Sequence, residues 1–184
     1  MQSRTPPGAE PGPTRTETDS RLSAALASVV AGARRRAVRD GDRQIDTAHL
    51  LHSLLETDPD VRAVFEGAQV VRLLGYLVQR SIGYGLQWQG TVEDSGAVPM
   101  VGATGSAASA KETGWSPSAS AAMETAVERA DRRGAPHARG LDLLAGLLAD
   151  PDNRAVAVLA RAGAEARVIL GRIEAYPYAE TSAD

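Results

Sequence analysis

The chain contains no cysteine, one phenylalanine, two tryptophans and four tyrosines. Without thiols there can be no disulfide, no thiolate nucleophile and no zinc site of the usual cysteine type. Because aromatics are scarce in a chain that is 43% hydrophobic, alanine, leucine and valine must fill the core. Small residues suit closely approaching helices, whereas an all-β chain draws on aromatic and β-branched residues. No apolar run approaches the roughly 18 residues of a membrane span. The opening MQSRTPPGAEPGPTRTET lacks the apolar centre of a secretory signal, so a cytoplasmic location is expected. Charge of one sign is missing too: the formal net charge is −3 and the pI about 5.7, which speaks against a nucleic-acid footprint. Arg34, Arg35, Arg36, Arg39 and Arg43 form the local exception and read as a solvated helix face.

At 184 residues the chain can form one domain, or two half-domains sharing a core. Residues 1–18 carry prolines, glycines and threonines without hydrophobic periodicity and are expected to be a disordered tail, as is a shorter tail at 176–184. Order should start near Asp19 or Ser20, either of which can cap a helix. Leu22, Leu26, Val29, Val30, Ala33 and Ala37 recur at helical spacing until Gly41. Thr47 is expected to cap a second helix carrying Leu50, Leu51, Leu54 and Leu55, which ends before Asp58-Pro59. Val61, Val64 and Phe65 predict a short third helix, and Val70 to Val78 a fourth. Residues 83–114 hold many glycines and no period. They read as a long linker in which Leu86–Val92 could form a short strand. Ser116-Pro117 then supplies a cap and a first-turn proline for a helix with Ala119, Ala122, Met123, Ala126 and Ala130 inward, stopping at Gly134.

Sliding residues 21–56 over 114–149, an offset of 93, gives ten identities in 36 positions. They include Ser23/Ser116, Ala33/Ala126, Ala37/Ala130, Gly41/Gly134 and the four leucine pairs from Leu50/Leu143 to Leu55/Leu148. Asp58-Pro59 recurs as Asp150-Pro151. These are inward apolar sites, a cap and a stop, the chemistry that determines a fold. Arg36/Arg129 and Arg39/Arg132 are identities which that reasoning does not explain. Val156, Val158, Leu159, then Val168, Leu170 and Ile173, predict two further helices. The expected fold is therefore all-α: a four-helix repeat (20–82), the glycine-rich linker (83–114) and a second repeat (115–175). Either repeat alone has too little core, so the two should pack about a pseudo-twofold axis.

Arg21-Leu22-Ser23, Gly41 and Ile45-Asp46-Thr47-Ala48-His49-Leu50-Leu51 in one copy, with Trp115-Ser116-Pro117, Gly134 and Gly140-Leu141-Asp142-Leu143-Leu144 in the other, resemble the Clp N-terminal repeat domain of ClpA-type and ClpC-type unfoldases. That family's pattern runs aromatic, Thr, long helix, Gly, a Gly-Thr-Glu-His turn and a Leu-rich helix. The resemblance covers residues 20–175 and implies a non-catalytic module that binds peptide or protein. In ClpC-type domains the turn glutamates hold the guanidinium of phosphoarginine. Here Ala48 and Leu141 stand in their place, so loss of one partner from each buried charged pair, about 2–5 kcal/mol, makes that recognition unexpected.

The resemblance implies a binding set of Leu22, Ser23, Thr47, His49, Trp115, Ser116 and Pro117. Trp115 has two readings: a member of an exposed peptide-binding patch, or an apolar staple against its own helix. His49 and His52 are spaced for a metal, yet no third ligand is evident and a structural role is expected. No metal or cofactor is expected. Val101–Thr113 lacks the Gly-Lys-Ser/Thr of a phosphate loop, and no nucleophile and base pair up; Glu124 and Glu128 read as a solvated face. The implied partners are a Clp AAA+ unfoldase or its substrates and cyclic-peptide antibiotics, with roles as adaptor, substrate competitor or decoy. Nucleic acid and membrane are not among them. The alternative is a structural or regulatory interaction domain that binds through residues 83–114.

Overall fold

A computed structural model describes residues 19–42, 44–81, 93 and 114–177. The expected terminal tails and the Leu86–Val92 segment lie outside these residues, apart from Tyr176 and Pro177. Eight helices are present among them: α1 (Ala24–Asp40), α2 (Thr47–Thr57), α3 (Pro59–Ala63), α4 (Gly67–Ser81), α5 (Pro117–Arg132), α6 (Gly140–Leu148), α7 (Arg154–Arg161) and α8 (Ala166–Glu174). None is long and apolar enough to cross a membrane.

Two caps differ from expectation. Helix α1 is capped by Ser23, whose Oγ accepts from the Leu26 N–H at 3.2 Å, rather than by Asp19 or Ser20. The backbone before Ser23 is occupied elsewhere, because Leu22 pairs with Ala138 in the other half. Helix α2 is capped by Asp46, which accepts from the His49 N–H at 2.9 Å while His49 Nδ1 accepts from the Asp46 N–H at 3.1 Å. Thr47 is thereby moved to the first helical position, and its hydroxyl serves the contact between halves.

Both long helices stop the same way. Gly41 (φ 75°) and Gly134 (φ 70°) take the left-handed conformation, and the next residues, Asp42 and Ala135, donate back to Ala37 and Ala130 at 2.9 Å each. Glycine carries no Cβ penalty there.

Helices α2 and α6 are buried on almost every side and form the centre, α6 nearly all apolar and α2 carrying buried Thr47, His49, His52 and Ser53 among its leucines. Leu50, Leu51, Leu54 and Leu55 of α2 and Leu143, Leu144 and Leu147 of α6 are fully buried. The leucines of both helices leave no wholly polar face to solvent, and the remaining helices enclose this pair. α1 lies on α2 and α5 on α6; across the halves α7 packs on α2 and α3 on α6. Two crossings are tight. A Cβ at Gly32 would lie 2.3 Å from Ser53 Oγ, and one at Gly146 2.3 Å from the carbonyl oxygen of Ala122. All described helices contribute to one apolar cluster; neither half closes a core alone.

Candidate functional site

The halves are stitched by two short parallel bridges, Leu22 with Ala138 and Ile45 with Trp115. The offset of 93 maps one bridge onto the other. Ser23 N–H donates to Ala138 O at 2.9 Å and Ala138 N–H to Arg21 O at 2.8 Å; their counterparts are Ser116 N–H to Ile45 O at 2.9 Å and Ile45 N–H to Gly114 O at 2.8 Å. In each half, the residues entering the first helix pair with the turn that precedes the second helix of the other half.

This seam collects the sequence-derived site residues and buries most of them. Leu22 and Trp115 are each only 7% exposed. The exposed-patch reading of these two is therefore corrected. Their backbones are committed to the bridges, and both side chains are buried in the shared core. Among the described residues, the large apolar side chains that do face solvent are Val38, Val71, Val78 and Val168. Thr47, His49 and Ser116 are buried as well, so they are internal partners rather than contacts for an outside ligand. Ser23 and Pro117 remain partly exposed.

What fills the seam is a carboxylate that sequence reasoning missed. Glu93, 5% exposed, accepts through Oε2 from the Thr47 N–H at 2.8 Å and the Ser116 hydroxyl at 2.8 Å. Oε1 accepts from the Arg154 N–H at 2.7 Å and from the Thr47 hydroxyl. Thr47 Oγ1 in turn accepts from the Ala155 N–H at 3.0 Å. Thr47 and Arg154 open α2 and α7, and their N–H groups have no acceptor within their own helices. One anion thus satisfies two helix starts, one from each half, where the helix dipoles favour negative charge.

Beside it lies a buried ion network. Asp46 Oδ2 accepts from Arg154 Nη1 at 2.7 Å and from Arg80 Nη2, which also reaches Asp42 Oδ2 at 3.1 Å. Burial by itself would raise the Asp46 carboxyl. Hydrogen bonding and attraction from His49, with attraction from Arg80, outweigh it and hold the group far below the usual carboxylate range. Asp42, Asp46 and His49 place ligand-type atoms within 4.8 Å of one another, supplying the third group that the sequence did not reveal. The chemistry fits a metal poorly, because Arg80 and Arg154 already provide the positive charge on both carboxylates. His52 does not join this cluster: its Nε2 lies 3.4 Å from Glu56 Oε1. Burial first, then the nearby Arg36, lowers its pKa to about 4 against the pull of Glu56.

The second half meets the corresponding problem with the residue types exchanged. Asp142, the counterpart of His49, accepts from the Arg139 N–H at 2.9 Å. It also receives a two-pronged contact from Arg133, the counterpart of Asp40, at 2.5 and 2.7 Å. In the first half the corresponding residues, Asp40 and His49, lie 3.8 Å apart, so in both halves the end of the first helix faces the start of the second through an acidic and a basic residue in exchanged positions.

Arg80 carried a readable signal, since it extends the buried stripe of Leu73 and Leu77 along α4. Glu93, within a glycine-rich stretch, carried none.

No family model and no curated protein matches the chain. Among solved structures, it is similar to the N-terminal domain of the caseinolytic protease associated chaperone ClpD from Arabidopsis thaliana. The likeness has a TM-score of 0.60 at 20% sequence identity and covers 84% of this chain and 93% of that one. The all-helical architecture, centred on two leucine-rich helices and closed by exchanged bridges, is therefore a Clp N-terminal-domain fold.

Proposed function

We propose that this chain is a non-catalytic cytoplasmic module that binds peptide or protein segments and acts in Clp-dependent proteolysis as an adaptor, a substrate competitor or a decoy. One observation carries the reading: the fold likeness takes in 93% of a chaperone's N-terminal domain and 84% of this chain. A fold alone does not fix a function, so the site chemistry is the second support. The buried ionisable residues Asp46, Arg80, Arg154 and Glu93 are engaged with one another and with helix starts, an arrangement that stabilises the seam. With Ala48 and Leu141 in place of the turn glutamates, the recognition is assigned to something other than phosphoarginine. The burial of Trp115 takes away the feature that favoured capture of cyclic peptides, which makes that variant the weaker one.

The test is a reconstituted degradation assay in which a ClpC-type unfoldase and its protease turn over an unfolded substrate while the full chain is added in excess. A competitor or decoy slows degradation and an adaptor speeds or redirects it. Unchanged rates, together with no association between chain, unfoldase and substrate by sedimentation, would refute the proposal. The alternative, binding through residues 83–114, gains some support from Glu93, which anchors that stretch at the seam. Deleting 95–112 separates the two: loss of partners by the deletion variant alone favours the linker.

A further inference from the structure

The arginine identities that fold chemistry leaves unexplained lead to a second place on the molecule. In the first half Arg36 is paired with Glu56, and Arg39 Nε lies 3.4 Å from Asp40 Oδ1. The offset of 93 puts Ala149 where Glu56 stands and Arg133 where Asp40 stands. Both acidic partners are gone from the second half, yet Arg129 and Arg132 are kept. They line, with Arg133 and Glu174, an open recess of about 300 Å³ at the C-terminal end of α5.

The contacts there are uneven. Arg133 is held in place by Asp142, which is fully buried. Arg129 is largely buried and reaches Glu174 at 2.8 Å through Nη2, while its buried Nε makes no hydrogen bond and sits 3.9 Å from Asp142 Oδ1. Arg132 is exposed and, among the described residues, donates only to the Glu128 carbonyl, at 3.4 Å. Glu174 is 58% exposed and stands in the last turn of α8. Three guanidiniums thus face two carboxylates, one buried and committed to Arg133, the other solvated and displaceable. Planar guanidinium forks suit an oxyanion that several of them can share, and a recess of this size suits a small group.

We infer that the recess formed by Arg129, Arg132, Arg133 and Glu174 binds a phosphoryl dianion, with Glu174 as the internal competitor that an incoming phosphate displaces from Arg129. The recess lies at the opposite end of α5 from Ser116. Sixteen residues at 1.5 Å each separate the two by about 24 Å, so this site is distinct from the helix starts at the seam.

The experiment is a titration of the full-length chain with inorganic phosphate at constant ionic strength, followed by amide NMR shifts. Saturable shifts should centre on residues 129–133 and 174. Arg132→Ala, whose side chain supports no buried group, should weaken binding at least about fivefold. Glu174→Gln should tighten it by up to about fivefold, the range of an exposed ion pair. Arg34→Ala, an exposed arginine on α1, should change nothing. Absence of saturation, equal loss in Arg34→Ala, or no gain in Glu174→Gln would each overturn the inference. A phosphoserine peptide and glycerol 3-phosphate, run as separate arms, identify whether the phosphoryl group arrives on a peptide or on a small molecule.

Discussion

Replacing Glu93 by alanine removes the single acceptor shared by four donors at the seam. The two hydroxyls, of Thr47 and Ser116, can rotate toward other acceptors, but the N–H groups of Thr47 and Arg154 cannot. A buried donor without a partner costs about 1–3 kcal/mol, so two of them cost about 2–6 kcal/mol. Water admitted into the space left behind brings the expected loss to about 3 kcal/mol. Glu93→Gln keeps one acceptor oxygen but turns an amide NH2 toward donors, and should cost less, about 1.5–2 kcal/mol. Urea unfolding at neutral pH measures both through the shift in midpoint at constant slope. Combining Glu93→Ala with Ser116→Ala should show coupling of about 0.5–1.5 kcal/mol, since the pair is in direct contact. A loss below about 0.5 kcal/mol for Glu93→Ala, or a costlier Glu93→Gln, would refute the reasoning that this carboxylate joins two helix starts.

Four further outcomes follow from burial, charge and packing. His52 has its pKa lowered to about 4 in the fold against about 6.5 unfolded, so its contribution is complete above pH 6.5 and is lost as pH falls toward 4. Stability should drop by about 2 kcal/mol between pH 7 and 5, and His52→Gln should flatten that slope in urea titrations. Asp46 acts in a lower window: its depressed carboxyl contributes above the unfolded value near 4 and is lost as pH falls below it. Gly146→Ala forces a methyl to 2.3 Å from a backbone oxygen that cannot move aside and should cost about 1–3 kcal/mol by thermal melts, whereas Gly32→Ala meets only a serine hydroxyl and should cost less. Trp115→Ala should cost about 3–5 kcal/mol and abolish the near-ultraviolet circular dichroism of the core. If it binds partners poorly while fully folded and equally stable, the buried placement of Trp115 is refuted.

Much of the architecture was legible in the chain because helix periodicity, caps and stops are local properties. The leucine pairs Leu50/Leu143 to Leu55/Leu148, the Gly41/Gly134 stops and the Ser116-Pro117 start all appear where the pattern placed them. The candidate site was legible only in part. The burial of Leu22 and Trp115 depends on backbone pairing with segments more than a hundred and about seventy residues away, and no local pattern encodes that. Thr47 looked like a cap because threonine often is one; Asp46, a neighbour with a stronger acceptor and His49 at the right spacing, took the role and freed the Thr47 hydroxyl for Glu93.

From its amino acids alone, then, this protein was committed to helices and to their approximate ends, since each is dictated by neighbours within a few turns. Only folding in three dimensions decided which polar groups would be trapped together. The meeting of Asp46, Arg80, Glu93 and Arg154 depends on the way the two halves exchange bridges, and burial away from water is what gives those charges their strength.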